Sequence, residues 1–364
     1  MEEYYLMWLS RLDGFGIRRI NYLLEHFGSA EAVWQAESSA FRAVYGMGEK
    51  MTEQLISSRK ADVLDDWIAE LEEKDIAFYS YRHPRYPQLL REISDPPVGI
   101  YVRGELPDDE IDTVAIIGAR RCSRYGSRVA YEIAKDLGKT NVIVVSGMAR
   151  GIDSKGHSGI IDGGGKTIAV LGCGVDVCYP PENKELMQKI IENGCIISEF
   201  PPGTQAQPQH FPRRNRIIAG LSKMVVVVEA GRKSGTFITA DLALDYGRDV
   251  FVVPGNVTSE LSKGTNELIK QGCPIITEGA DILEALGIAY KEEEKINFKN
   301  KAAENISAEE KEVYDLIETE TPISAESLCR MLHKDIQDIQ YILSLLELSG
   351  YITKIPQAGY VRDN

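Results

Sequence analysis

Between residues 96 and 290 the chain alternates short, unbroken apolar runs with stretches of helical period. The runs are VAIIG (114–118), NVIVVSG (141–147), TIAVLG (167–172), CIISEF (195–200), MVVVVEA (224–230), DVFVVPG (249–255) and PIIT (274–277). Helical patterns fall between most of them, at 126–138, 182–193, 236–246 and 265–271. Continuous Val/Ile runs predict strands covered on both faces. Strand–helix repetition predicts an α/β, Rossmann-like, doubly wound parallel sheet over 81–290, with ligands at the carboxyl ends of its strands.

Residues 1–80 read as helical. LDGFGIRRINYLLEHFG (12–28) and VYGMGEKMTEQLISSR (44–59) each place a Gly-x-Gly turn before an amphipathic helix, the pattern of helix-hairpin-helix units. Such turns either hold a phosphate or only pack helices tightly, and Glu49 beside the second turn opposes phosphate. Residues 291–305, KEEEKINFKNKAAEN, read as a charged linker. From 306 to 364, three helical stretches and ITKIP…GYVR predict a small winged-helix domain for DNA or protein docking. Asp335 and Asp338, in or beside its recognition helix, oppose insertion into a duplex groove.

Across 364 residues the net charge is −14, which argues against a generally sticky nucleic-acid binder but leaves room for a local basic site. The six cysteines form no C-x-x-C and no His lies near them at metal-ligand spacing, so buried thiols in a reducing cytoplasm are expected and no metal. The acidic start MEEYYLMWLS is a poor signal peptide, and no apolar run is long enough to cross a membrane.

Local basic sites do occur. GARRCSRYGSR (118–128) follows the first buried strand without the G-x-G-x-x-G spacing, so dinucleotide binding is disfavoured. No acid lies between Asp112 and Glu132, and Arg120 and Arg121, with Ser123 beside them, are candidates for an anion site. SGMARGID (146–153) sets Gly147 and Gly151 around Arg150. GRKSGTFITA (231–240) puts Ser234, Gly235 and Thr236 at a helix start, as a phosphate cradle or an ordinary cap. In FPRRNRIIAGLS (211–222), Arg213, Arg214 and Arg216 flank Asn215 behind Phe211, with no acid between Glu199 and Glu229. Arginines for phosphates, an asparagine for sugar or base and a ring for stacking suit single-stranded nucleic acid. The alternatives are core packing for Phe211 and buried ion pairs for Arg214 and Arg216.

VAIIGARRCSRYG, SGMARGIDSKGH, TIAVLGCGVDVCYPPEN, FPRRNRIIAGLS and SGTFITADLALDYGRDVFVVPGN, in this order, resemble the successive blocks of the DNA-processing protein A (DprA/Smf) family. The resemblance implies a bacterial cytosolic protein that binds single-stranded DNA without sequence preference. It also implies protection of incoming strands in natural transformation and loading of the RecA recombinase onto them. Arg120 matches the family's Gly-Ser/Ala-Arg arginine, Arg214, Asn215 and Arg216 its Arg-Asn-Arg, and Phe211 its base-stacking aromatic. A homodimer is implied through LSKGTNELIKQG (261–272), with Leu261, Asn266, Leu268 and Ile269 at the interface. Two positions depart from the pattern: no lysine precedes Phe211 in QAQPQHFP, and the dimer segment has no histidine.

Three functions compete. The first is a non-enzymatic single-strand binder with neither cofactor nor small-molecule substrate. The second is a phosphoribohydrolase-like enzyme, for which SGTFITA carries Thr239 where the catalytic glutamate belongs. The third is a protein-interaction scaffold working through the winged helix.

Overall fold

The computed structural model describes residues 1–60, 62–288, 307–319, 321–348, 351–355 and 358–362, in two units that divide after Ile288. The first unit begins with α1 (Glu2–Ser10), α2 (Ile17–Phe27), α3 (Ala30–Gln35), a 3-10 turn at Ser38–Ala43, α4 (Glu49–Ser57) and α5 (Val63–Glu73). Leu6, Met7, Trp8 and Leu9 of α1 are fully buried, so this short helix is the centre of the bundle. Both Gly-x-Gly turns have one geometry. Gly14 (φ 80) and Gly46 (φ 78) are left-handed, and Gly16 and Gly48 are the extended N-caps of α2 and α4. The Arg19 guanidinium donates to the carbonyls of Gly14 and Gly46 and so ties the two turns together.

The bundle is fastened to a sheet. Glu3 accepts from the Ser80 amide and hydroxyl at 2.8 and 2.7 Å, and Met7 shares a core with Ile76, Phe78 and Tyr101. The sheet contains β1 (Ala77–Ser80), β2 (Gly99–Gly104), β3 (Thr113–Ile117), β4 (Ile143–Ser146), β5 (Thr167–Val170), β6 (Gly194–Ser198), β7 (Met224–Val227) and β8 (Asp249–Val252). Their order is β1-β2-β6-β5-β4-β3-β7-β8. β3 to β8 run parallel, while β2 pairs antiparallel with β6, and β1 with β2. This antiparallel edge was not among the predicted strands, and β1 lies before residue 80, where the helical segment was expected to end. PIIT forms only one bridge, Ile275 to Val252.

Every residue of β3, β4, β5, β6 and β7 is buried, as continuous apolar runs require. The two-residue period divides their side chains between two helical layers. Ile168 and Val170 face the layer of α6 (Gln88–Arg91), α10 (His210–Gly220) and α11 (Thr236–Asp245). Ala169 and Leu171 face α9 (Lys184–Glu192) through Met187 and Ile190, in the layer shared with α7 (Arg124–Gly138) and α8 (Ile152–Asp162). β3 lies between β4 and β7, so the strand order reverses there and opens a crevice at the carboxyl ends. α12 (Lys263–Lys270) and α13 (Gly279–Ala285) close this unit.

The second unit has α14 (Ala308–Asp315), α15 (Ala325–Leu332), α16 (Ile336–Leu348) and an antiparallel wing of β9 (Ile352–Ile355) and β10 (Gly359–Arg362). Val313, Leu328, Ile339, Leu343 and Ile352 form its core, in a winged-helix arrangement. Asp335 precedes α16 and Asp338 sits exposed in its first turn. The linker expected at 291–305 lies outside the described residues. No described helix is long and apolar enough to cross a membrane.

Candidate nucleic-acid interface

At the switch point a groove of about 1030 Å³ runs along the strand ends. Its walls are the loop after β3 with Arg120 and Arg121, the start of α10 from Phe211 to Asn215, and the loop after β7 from Gly231 to Thr236. A second cavity of about 240 Å³ adjoins it, between Arg120, Arg121, Arg150, Tyr179, Phe211 and Arg214. Segments separated by ninety residues in sequence therefore meet on one rim. Parallel topology explains this, because every strand of the doubly wound sheet delivers its following loop to the same edge.

Arg120 is exposed and makes no ion pair among the described residues; its guanidinium carbon lies 5.0 Å from the centre of the Phe211 ring. Phe211 is half-buried against Gly172, with the Tyr179 ring 5.5 Å away at 33°. Arg121 is exposed beside them. Arg150 forms an exposed ion pair with Glu182, a contact in water that a phosphate can replace.

Arg214 differs in kind. It is 4% exposed, donates to the Val170 carbonyl at 2.6 Å, and lines both cavities while its Nε has no partner. Burial pulls its pKa below the usual arginine range, and the nearby Asp153 carboxylate offsets this in part. Asp153 is buried, accepts from the Gly147 and Ala149 amides at 3.2 and 3.4 Å, and so holds the intervening Met148 in a left-handed conformation (φ 53). At Gly147 a Cβ would overlap Arg214 Nη1 and Cζ, so any larger residue there displaces the guanidinium. The glycine's place in the site is to let the guanidinium pass.

Of the other expected residues, Arg216 and Ser123 are engaged by carboxylates, while Ser234 and Thr236 bond to each other on the groove wall. Arg216 is held by Glu199 and by the Asp95 carbonyl at 2.7 Å, with its side chain 12% exposed. Two of the three arginines in the acid-free stretch after Glu199 thus share Glu199 itself, which folds back on both Arg216 and Arg213. Ser123 caps α7 by accepting from Gly126 N at 3.0 Å, and its hydroxyl and amide donate to the buried Glu229. Ser234 accepts from the Thr236 amide at 3.2 Å and shares a hydroxyl contact with Thr236, a local turn ahead of α11, whose N-cap Gly235 supplies no side-chain cap. Gly235 is exposed and Asn215 half-buried on the groove wall.

Of the residues expected at a dimer interface, Leu268 packs in the sheet's own core at 4% exposure. Asn266 bonds to both backbone groups of Gly255, while Leu261 and Ile269 are half-buried.

Two residues of consequence were not singled out from sequence. Tyr179, in CYPPEN, adds a second ring beside Phe211; an aromatic leaving a strand-end loop is the signal that was present. Glu229 occupies the N-terminus of α7, where a Rossmann-like fold would seat a pyrophosphate, and a Cβ on Gly126 would overlap its carboxylate. An internal anion therefore fills the dinucleotide position. At Thr239, where a hydrolase would place its glutamate, the side chain is 3% exposed.

The family model for DNA recombination-mediator protein A matches residues 77–287, and that for the DprA winged-helix domain matches 299–357. Protein Smf of Synechocystis is 39% identical over 290 residues, covering 79% of this chain and 73% of the relative. DNA processing protein DprA of Streptococcus pneumoniae is 40% identical over 220 residues, 60% of this chain and 78% of that protein. The X-ray structure of the pneumococcal DprA superposes with a TM-score of 0.67 at 32% identity, covering 79% of this chain and 99% of that one. A Helicobacter pylori DNA processing protein A, described for its single-stranded DNA binding mode, gives 0.52 at 30% identity, covering 58% of this chain and 95% of that one.

Proposed function

The chain belongs to the DNA recombination-mediator protein A (DprA/Smf) family, and we propose that it binds single-stranded DNA without sequence preference along the strand-end groove. The observation that carries this reading is the convergence of Arg120, Phe211 and Arg214, from two distant segments, on one rim. Phosphates meet Arg120, Arg121 and Arg150 at the surface. Arg214, buried behind them, supplies positive potential that water screens weakly. A base reaches the Phe211 ring by displacing Arg120, whose guanidinium then turns to a phosphate. Stacking on a ring tolerates any base, hence the lack of sequence preference.

The reading is non-enzymatic. Glu229 is engaged by Ser123, and Thr239 offers no carboxylate for N-glycosidic cleavage. By likeness to its family, the protein would work in the cytoplasm, protect incoming strands and deliver them to RecA. An Ile269→Glu variant in sedimentation tests the homodimer, and RecA filament nucleation on coated strands tests loading.

The direct test is Arg120→Glu in a mobility-shift assay. Loss of the single-strand complex with an unchanged circular-dichroism spectrum supports the site, and unchanged affinity rejects it.

A further inference from the structure

A second cleft of about 1100 Å³ separates the helical bundle from the sheet layer of α10 and α11. Pro212 and Ile238 line both this cleft and the strand-end groove, so the two are continuous. On its bundle wall, Tyr22 and Tyr45 stand 40% and 77% exposed, their rings 5.2 Å apart at 78°. Tyr45 is mostly in water and Tyr22 keeps two-fifths of its surface exposed beside it, and contiguous exposed aromatic surface marks a binding face. Arg18 is exposed on the same wall and makes no ion pair among the described residues. Across the cleft is Arg213, 62% exposed, whose 3.2 Å pair with Glu199 is a solvent-facing contact that a phosphate can replace. Of the carboxylates that line it, Asp95 is held by Arg216 and Glu199 by Arg216 and Arg213 together, which leaves Asp13.

Resting on the single-strand reading of the strand-end groove, we propose that the strand continues past Pro212 and Ile238 into this cleft. There the Tyr22–Tyr45 pair offers its bases a second stacking platform, and Arg18 and Arg213 meet its phosphates. Cationic side chains interleaved with rings are what an unpaired polynucleotide requires, since phosphate and base recur at every step. Arg19 has a different part, because its bonds to Gly14 and Gly46 fix the turns that carry the platform.

The test compares oligothymidylates of about 6 and about 20 nucleotides, short and long against the usual single-strand site sizes. Binding is followed by fluorescence anisotropy for the wild type, for Tyr22→Ala/Tyr45→Ala and for Arg18→Glu. The expected result is that each variant binds the long oligonucleotide about tenfold more weakly, with the short one changed less than about twofold. Equal losses on both lengths would overturn the proposal, since the residues would then act through the fold or the first groove. No loss on either length would also overturn it, leaving the cleft to a protein partner. Failure of the strand-end reading looks different: Arg120→Glu would leave the short oligonucleotide bound as before.

Discussion

Gly147→Ala perturbs the site through one atom. Its φ is not left-handed, so the backbone accepts alanine, and the consequence falls on Arg214. The new methyl would overlap Nη1 and Cζ and lie 2.5 Å from Nη2. The guanidinium must then leave the Val170 carbonyl, its one hydrogen-bond partner. Losing a charge-assisted bond costs about 1.5–3 kcal/mol. Crowding a packed interior adds about 1–3 kcal/mol, less if the adjoining 240 Å³ cavity receives the displaced side chain. A destabilisation of about 3–5 kcal/mol lowers Tm by roughly 5–8 °C for the unit Met1–Ile288. Thermal unfolding of Gly147→Ala, Arg214→Met and the double variant measures it. If the glycine serves only Arg214, its substitution becomes milder by about 1 kcal/mol or more once the arginine is gone. Effects that add to within about 0.5 kcal/mol would refute the reasoning.

Arg216 and Arg120 should separate structure from binding. Arg216→Met leaves Glu199, 8% exposed, without its buried partner, and should cost about 3 kcal/mol or more by urea unfolding. The folded variant should bind a single strand within about threefold of wild type. His157 is fully buried, its Nδ1 is 2.7 Å from Thr167 Oγ1, and burial with the nearby Arg214 lowers its pKa to about 3. The unfolded chain takes up that proton near pH 6.5 and the native state near 3, so stability rises with pH across this window. It should fall by about 1.4 kcal/mol per pH unit below about 6.5 through this group alone. Urea midpoints of His157→Asn between pH 6 and 4 should show a slope shallower by one proton, and an identical slope would contradict the assignment.

The legibility of the chain follows the range of the interactions. β3 to β8 could be read from their Val/Ile runs because burial on both faces is recorded locally. AFYS and GIYVRG, the antiparallel edge, are no shorter than the parallel strands but lack unbroken Val/Ile runs, and their pairing depends on Glu3 and on β6. PIIT shows the reverse case, an apolar run that finds only one bridging residue. Parallel topology made the meeting of Arg120 and Phe211 predictable, since it brings successive loops to one edge. The fate of Ser123 was not, and for Arg216 the buried ion pair is only one of two readings the sequence allows, because each is decided by a single carboxylate, Glu229 or Glu199, brought in by the fold. Counting acids within a segment misses a partner at the segment's own boundary.

On this reading the strand-end rim of an acidic protein is a groove for unpaired DNA. Anisotropy titration of one labelled oligonucleotide, single-stranded and as a duplex, across a salt series tests it most directly. The single strand should bind more tightly, with log affinity falling against log salt at about 0.7 per phosphate contact, and by about one contact less in Arg120→Ala. Equal affinity for the duplex, or a slope that Arg120→Ala leaves unchanged, would contradict it.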